Sequence, residues 1–184
     1  CSNIEKEISF ISKLGFIGIK IHPRFSKINY FKNNLREIVF LAGKYNLTVF
    51  YCTYSHCGEG SYPNADPFYF IADIINSCQK TNIILVHGGD VQLLKYAELA
   101  RHNSNTLLDL SLTFMKYKGS SIDNDISFLF NNFDRRICIG TDHPEYTHRE
   151  VRDRFIQFSS GVTKDKLENI GYHNILNFTK QELT

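Results

Sequence analysis

Residues 82–112, "NIILVHGGDVQLLKYAELARHNSNTLLDLSL", decide the fold class. The stretch holds an apolar run that ends at His87 and two glycines, then apolar residues at helical spacing, then a second apolar run, "TLLDLSL". Strands that are apolar at almost every position are buried on both faces, which is typical of parallel sheets built from right-handed β-α-β units. The stretch therefore predicts one such unit, in which a helix joins two parallel strands.

The same alternation extends along the whole chain. The runs "FIGIKIHP", "LTVFYCT" and "ICIGTD" are predicted as three further strands, and stretches of helical spacing separate all five strands. No linker or low-complexity segment interrupts the pattern, so residues 1–184 are predicted to form one α/β domain. A doubly wound sheet and a (β/α)8 barrel both fit, and both bind ligands at the carboxyl ends of their strands.

Composition restricts the class of partner. Of the 184 residues, 42% are hydrophobic and 22% are charged, as in ordinary globular proteins. A net charge of +2 favours neither a nucleic acid nor a membrane surface as partner, and no apolar run approaches the roughly 20 residues of a membrane span. The five cysteines are odd in number and scattered, which disfavours a disulfide framework and favours a cytoplasmic location.

The carboxyl ends of the predicted strands are all polar. They read "KIHPR", "YCTYSHC", "VHGGD", "DLSLT" and "GTDHP", and they hold His, Cys and Asp side chains that bind metals or transfer protons. Because these ends meet at one edge of a parallel sheet or one mouth of a barrel, their side chains are expected to lie together. The sequence predicts a functional site there.

His87 and Asp142 are the main candidates for chemistry. Two glycines follow His87, so a substrate or metal ion can approach its imidazole without obstruction from neighbouring side chains. Asp142 ends an apolar strand, where a carboxylate must be paired, bound to a metal or solvated. Structural roles fit the same pattern: a backbone carbonyl for His87, and capping of the following helix for Asp142.

Five further residues are weaker candidates. His22 and Arg24, in "KIHPR", are candidates for binding an anionic substrate group, with a surface turn as the alternative. His143 is a third candidate for substrate binding. Cys52 and His56 offer sulfur and nitrogen ligands for a metal, but their spacing matches no structural zinc pattern, and a structural role is the alternative.

In this order the segments resemble the amidohydrolase-related family of metal-dependent (β/α)8 hydrolases and decarboxylases. "LGFIGIKIHPRF" is similar to that family's fourth strand, "KYNLTVFYCTY" to the fifth, "NIILVHGGD" to the sixth, "NTLLDLSL" to the seventh and "RICIGTDHPEY" to the eighth. The resemblance implies a TIM-barrel type fold that is incomplete in this chain, with about five βα units corresponding to strands four to eight.

The resemblance also implies roles for individual residues. Asp142 would be the eighth-strand carboxylate, which ligates the metal or takes the proton from metal-bound water. His87 would be the sixth-strand histidine, a metal ligand or a group that polarises the substrate, and His22 would lie beside the substrate. The implied cofactor is a divalent ion, with Zn²⁺ expected, which lowers the pKa of a bound water to about 7.

The chain departs from the family pattern at two points. No His-x-His pair, which the family carries on its first strand, occurs in the sequence. Cys52 occupies the position of the fifth-strand histidine. A cysteine ligates zinc as the thiolate, and His56 is the other candidate for that ligand position.

These observations predict a metal-dependent hydrolase that acts on a small polar substrate, by C–N or C–O hydrolysis or a related decarboxylation. Two alternatives stay open. One is a degenerate barrel that binds a ligand or partner without turnover, and the other is a TatD-like metal-dependent nuclease, which the near-neutral charge disfavours. Open sheet edges in such a partial barrel also predict self-association into a homo-oligomer.

Overall fold

The computed structural model describes residues 3–23, 33–54 and 67–180. Five short strands alternate with helices in these ranges. The strands are β1 (Gly18–Ile21), β2 (Thr48–Cys52), β3 (Ile83–Val86), β4 (Thr106–Asp109) and β5 (Ile137–Cys138). The helices are α1 (Asn3–Lys13), α2 (Asn33–Lys44), α3 (Pro67–Ser77), α4 (Leu93–His102), α5 (Thr113–Lys116), α6 (Ile122–Asn132), α7 (His148–Phe158), α8 (Lys164–Glu168) and α9 (Asn174–Thr179).

The five strands pair in parallel and in chain order, β1–β2–β3–β4–β5. In the middle of the sheet, Leu85 of β3 lies opposite Tyr51 of β2 and Leu108 of β4. A doubly wound sheet reverses its strand order, and the described strands show no reversal, so the barrel progression is the one that matches. The predicted parallel α/β fold with about five βα units is confirmed, and over the described residues the sheet is open.

Both faces of the central strands are buried, as their apolar sequences predict, whereas Lys20 of β1 is exposed. On one face, residues such as Tyr51 and Leu85 join a large cluster with the surrounding helices. On the other face Ile84 belongs to a smaller cluster, against which Ile175 and Phe178 of α9 pack. The last helix thus contributes to the face of the sheet that would point into a barrel.

Helix α9 covers the amino ends of the central strands. The backbone oxygen of Phe178 accepts hydrogen bonds from the Thr48 hydroxyl and the Asn82 side-chain amide, each at 2.9 Å. Thr48 opens β2 and Asn82 immediately precedes β3. Because the chain's own helix occupies this end, a ligand site is expected at the opposite, carboxyl end.

Buried Asn174 fixes α9 to the fifth strand. Its amide nitrogen donates to the backbone oxygens of Asp134, at 2.6 Å, and of Ile137, at 2.7 Å. A π-helical turn over Asn169–His173 precedes α9, and the Asn169 amide donates to the Asp134 carboxylate at 2.7 Å. The position of α9 therefore depends on two backbone carbonyls that Asn174 satisfies.

Two elements differ from the sequence-based expectation. The helix predicted directly after the two glycines begins only at Leu93, because His87–Gln92 form a 3₁₀ segment with left-handed backbone at its start. The short helix α5 was not predicted, since its four residues are too few to show a helical period.

The composition-based predictions concern thiols and membrane spans. Cys52, Cys78 and Cys138 are buried, and none of these described cysteines is in a disulfide. Within the described ranges, no helix combines the length and apolar character needed to cross a bilayer.

We expect Asn174→Ala to lower the free energy of unfolding by about 2–4 kcal/mol, because it removes two hydrogen bonds and leaves buried carbonyl oxygens without a donor. Urea denaturation followed by circular dichroism measures this change. Asn177→Ala, at an exposed position of the same helix, is the matched control and should change the free energy by less than about 0.5 kcal/mol. Equal stabilities of the two variants would contradict the anchoring role of Asn174.

Candidate functional site

The structure brings most of the predicted site residues to the carboxyl end of the sheet. Cys52 is the buried last residue of β2, and His22 follows β1 directly and is half-buried. His87 follows β3 and is only 3% exposed. Arg24 and His56 lie outside the described residues.

His87 is held in one orientation by the loop after β4. Its Nδ1 lies 3.1 Å from the backbone oxygen of Ser111 and 3.3 Å from the Ser111 hydroxyl. A carbonyl oxygen only accepts, so Nδ1 carries the hydrogen and the lone pair of the neutral ring is on Nε2. A hydrogen bond to a backbone carbonyl is the structural role that the sequence leaves open for His87. This bond is present, but it uses only one of the two ring nitrogens.

The turn that carries His87 has an unusual backbone. His87, Gly88, Gly89 and Asp90 all have positive φ, between 58° and 82°. Thr53 supports this turn, because its hydroxyl donates to the Val86 oxygen and accepts from the Gly89 amide, both at 2.7 Å. The Thr113 hydroxyl also donates to the His87 oxygen at 2.6 Å.

Asp109 is a site residue that the sequence analysis did not single out. It is the last residue of β4, and its carboxylate accepts from the Ser111 amide at 3.0 Å and from the Ser111 hydroxyl at 2.5 Å. Ser111 therefore connects the Asp109 carboxylate to the imidazole of His87. The signal was present in "TLLD", an apolar run that ends in an acid, just as "ICIGTD" does.

Burial raises the pKa of Asp109. The two hydrogen bonds from Ser111 oppose this effect, as do the positive charges of His87 and Lys20, but the net direction is upward. The residue as a whole is half-buried, whereas its carboxyl group is enclosed by its neighbours. The protonated form of Asp109 is therefore favoured at pH values where an ordinary aspartic acid has ionised.

Gly140 brings the chain after β5 against this cluster. A Cβ atom at Gly140 would lie 3.3 Å from the Ser111 Cβ and 3.5 Å from Oδ1 of Asp109. Asp142 follows two residues later, half-buried and with a left-handed φ of 52°. The structure therefore places the turn that carries Asp142 at the same rim as His87.

Asp142 does not cap the helix that follows it. The N-cap of α7 is Thr147, which forms a capping box with Glu150. The capping role considered for Asp142 is therefore wrong, because the N-cap of that helix lies five residues further on. His143 is exposed, and its backbone amide donates to the Thr141 hydroxyl at 3.2 Å.

A second polar group lies over the His87 turn. The Lys116 ammonium donates to the Tyr54 hydroxyl at 2.7 Å and lies 3.8 Å from Oδ1 of Asp90. The Tyr117 hydroxyl donates to that same Asp90 oxygen. The Tyr54 ring meets the His87 ring edge-on, with 6.1 Å between the ring centroids.

The described residues do not by themselves form a metal site. No group of three or more His, Cys, Asp and Glu side chains within residues 3–23, 33–54 and 67–180 is placed to hold an ion. The ligand set proposed from the sequence, which is Asp142, His87, Cys52 and His56, is thus not assembled by the three of these that the structure describes.

Comparison with known proteins gives matches in structure. Neither a protein-family model nor a curated protein sequence matches the chain. An uncharacterised TIM-barrel protein from Bordetella bronchiseptica superposes with a TM-score of 0.76 at 16% identity, over 96% of this chain and 62% of that one. A dihydroorotase from Campylobacter jejuni gives 0.73 at 12% identity, over 98% and 63%.

A third match is a dihydroxybenzoic acid decarboxylase from a Polaromonas species, solved with bound manganese and the inhibitor 2-nitroresorcinol. It gives a TM-score of 0.65 at 15% identity, over 96% of this chain and 64% of that one. Over the matched region, the chain has the fold of the corresponding part of these structures, the first of which is a TIM barrel. The predicted resemblance is confirmed at the level of fold, and the chain spans less than two thirds of the length of these three structures.

We expect the stability of Asp109→Asn relative to the wild type to increase as the pH rises above about 4, where an aspartic acid in the unfolded chain ionises. With a raised pKa, folded Asp109 keeps its proton where the unfolded chain has lost it, so the wild type loses stability as the pH rises through this range. Asparagine does not ionise and escapes this loss. Thermal melts at several pH values measure the difference.

Asp153→Asn, at an exposed position of α7, is the control for this experiment. It should show no such trend with pH. If the Tm difference between Asp109→Asn and the wild type is constant with pH, as expected for Asp153→Asn, the burial of the Asp109 carboxyl group does not affect stability.

Proposed function

We propose that the chain is part of an amidohydrolase-type enzyme that acts on a small polar substrate at the carboxyl ends of its strands. The reaction is a C–N or C–O hydrolysis or a related decarboxylation. The structural neighbours support this class, since they include a dihydroorotase and a dihydroxybenzoic acid decarboxylase. The observation that carries the proposal is the bond from Nδ1 of His87 to the Ser111 carbonyl.

That bond prepares His87 for proton transfer. With Nδ1 acting as donor to Ser111, the neutral ring has its lone pair on Nε2, which accepts a proton from the substrate or from water. When Nε2 is protonated, the imidazolium returns the proton to a leaving group or to a substrate carbon. Asp109 is connected to the ring through Ser111, and in its ionised form it favours the positive charge that His87 carries in this state.

Asp142 is the second group in the proposal. The structure gives its carboxylate no hydrogen bond with the described residues, and its half-buried position at the rim leaves it available to water. We assign to it the acceptance of a proton from the attacking water in hydrolysis. His22, Arg24 and His143 are proposed to contact the substrate, at the ends of β1 and β5.

A divalent metal, with Zn²⁺ expected, is part of the proposal, but binding it would require ligands from residues outside the described ranges. The described residues do not form a metal site, and the proton transfers assigned to His87 and Asp142 require only their own side chains. Of the four ligands expected from the sequence, His56 lies outside the described ranges. A cytoplasmic location and self-association into a homo-oligomer are parts of the same proposal.

The test is turnover of hydroxybenzoates, followed by release of CO₂, and of cyclic amides, followed by ring opening. On a substrate that is turned over, His87→Asn and Asp142→Asn should each lower kcat about 10²- to 10⁴-fold, the usual contribution of a positioned acid or base. His102→Asn, at an exposed position of α4, is the matched control and should keep the wild-type rate.

The proposal is overturned if His87→Asn keeps the wild-type rate, or if neither substrate class is turned over. In the second case the chain belongs to the non-catalytic alternative. Elemental analysis of the purified protein tests separately whether a metal is bound, and a bound divalent ion supports the metal-dependent mechanism. If no ion is bound and Asp142→Asn is fully active, both the metal dependence and the role of Asp142 are wrong.

A further inference from the structure

Lys116 is fixed over the site by contacts from three separate strand ends. It lies at the end of α5, after β4, and its ammonium donates to the hydroxyl of Tyr54, which follows β2. The ammonium also lies 4.4 Å from the centre of the Tyr54 ring and 4.9 Å from that of Tyr117. Asp90, in the turn after β3, completes the surroundings at 3.8 Å.

These contacts keep Lys116 positively charged. Burial disfavours the charged form, but the hydroxyls of Tyr54 and Tyr117 and the charge of Asp90 outweigh this effect and raise the pKa of Lys116 above its usual value. The carboxylate of Asp90 is itself 95% buried and is shared with the Tyr117 hydroxyl. The site therefore has a permanent cation whose side chain is held between two aromatic rings.

The ammonium is not fully used by its partners. Among the described residues, the Tyr54 hydroxyl accepts a hydrogen bond from the ammonium at 2.7 Å, whereas the Asp90 oxygen at 3.8 Å is beyond hydrogen-bond distance. An ammonium has three N–H donors, so at least one stays available to a ligand. The side chain of Lys116 is 34% exposed, which gives a ligand access to that donor.

The position of Lys116 relates it to the proposed chemistry. The ring of Tyr54 meets the ring of His87 edge-on, and the hydroxyl of the same residue accepts the hydrogen bond of Lys116. His87 and the Lys116 ammonium therefore share one neighbouring side chain at the carboxyl end of the sheet. A restrained cation loses little side-chain entropy when it binds an anion, which favours binding over that of an ordinary surface lysine.

We propose that Lys116 is the anion-binding residue of the site and that the substrate carries a carboxylate that pairs with it. This assignment rests on the proposed function only for the location of the substrate. It names the substrate class and a specificity-determining residue outside the set expected from sequence. Tyr54, Tyr117 and Asp90 act as positioning residues that hold the ammonium.

The experiment measures binding without turnover, using benzoate and its neutral analogue benzamide as probes in isothermal titration calorimetry. The wild type should bind benzoate more tightly than benzamide. Lys116→Met, which keeps the length and apolar packing of the stem, should weaken benzoate binding roughly tenfold or more through loss of one charge-assisted hydrogen bond, and should leave benzamide binding unchanged.

Lys118→Met is the matched control, because Lys118 is exposed, lies two residues away and contributes the same charge to the protein. It should bind benzoate as the wild type does. The assignment is overturned if Lys116→Met also binds benzoate normally, if both lysine variants lose affinity equally, or if the wild type does not distinguish benzoate from benzamide.

Two further arms separate the explanations. Phenyl phosphate tests the other oxyanion of similar chemistry, and tighter binding of it than of benzoate overturns the carboxylate class. If Lys116→Met loses binding of both benzoate and benzamide and has a lower Tm, Lys116 only stabilises the local structure, and the assignment is overturned. Because no step requires catalysis, benzoate binding that depends on Lys116 in a protein without turnover supports the anion site while the proposed function fails.

Discussion

Parallel pairing of five strands in chain order is the constraint on which the site depends. Each strand runs in the same direction, so each delivers its last residues to one end of the sheet. The other end is occupied by α9, which Asn174 ties to the backbone of Asp134 and Ile137. Cys52, His87 and Asp109 therefore lie at the same edge of the sheet, although about 60 residues of sequence separate the first from the last.

Much of the fold could be predicted from the sequence because buried parallel strands and amphipathic helices have clear patterns. "IILV" is apolar throughout and "TLLD" has an apolar centre, and the structure buries both strands on each face up to the half-buried Asp109. The resemblance in strand order also anticipated the barrel progression. Element boundaries were less predictable: a histidine and an aspartate in left-handed conformations end the third strand earlier than "NIILVHGG" suggests.

The site was predicted only where its residues stand directly at strand ends. His87 and Asp142 directly follow short apolar runs, whereas Asp109 lies inside "TLLDLSL", whose apolar pattern predicts a strand that continues past it. Lys116 could not have been found in this way. Its partners Tyr54 and Asp90 lie in the loops after β2 and β3. No local sequence pattern predicts that these two loops approach the loop after β4.

The backbone of the turn that carries His87 is strained at two residues that are not glycine. A non-glycine residue in the left-handed region costs about 1–2 kcal/mol, and both His87 and Asp90 adopt it, with φ of 72° and 58°. Glycine at either position would relieve this strain, but it would also remove the side chain that bonds to Ser111 in one case and to Tyr117 in the other. The turn therefore keeps a strained backbone in exchange for side-chain contacts with the loop after β4.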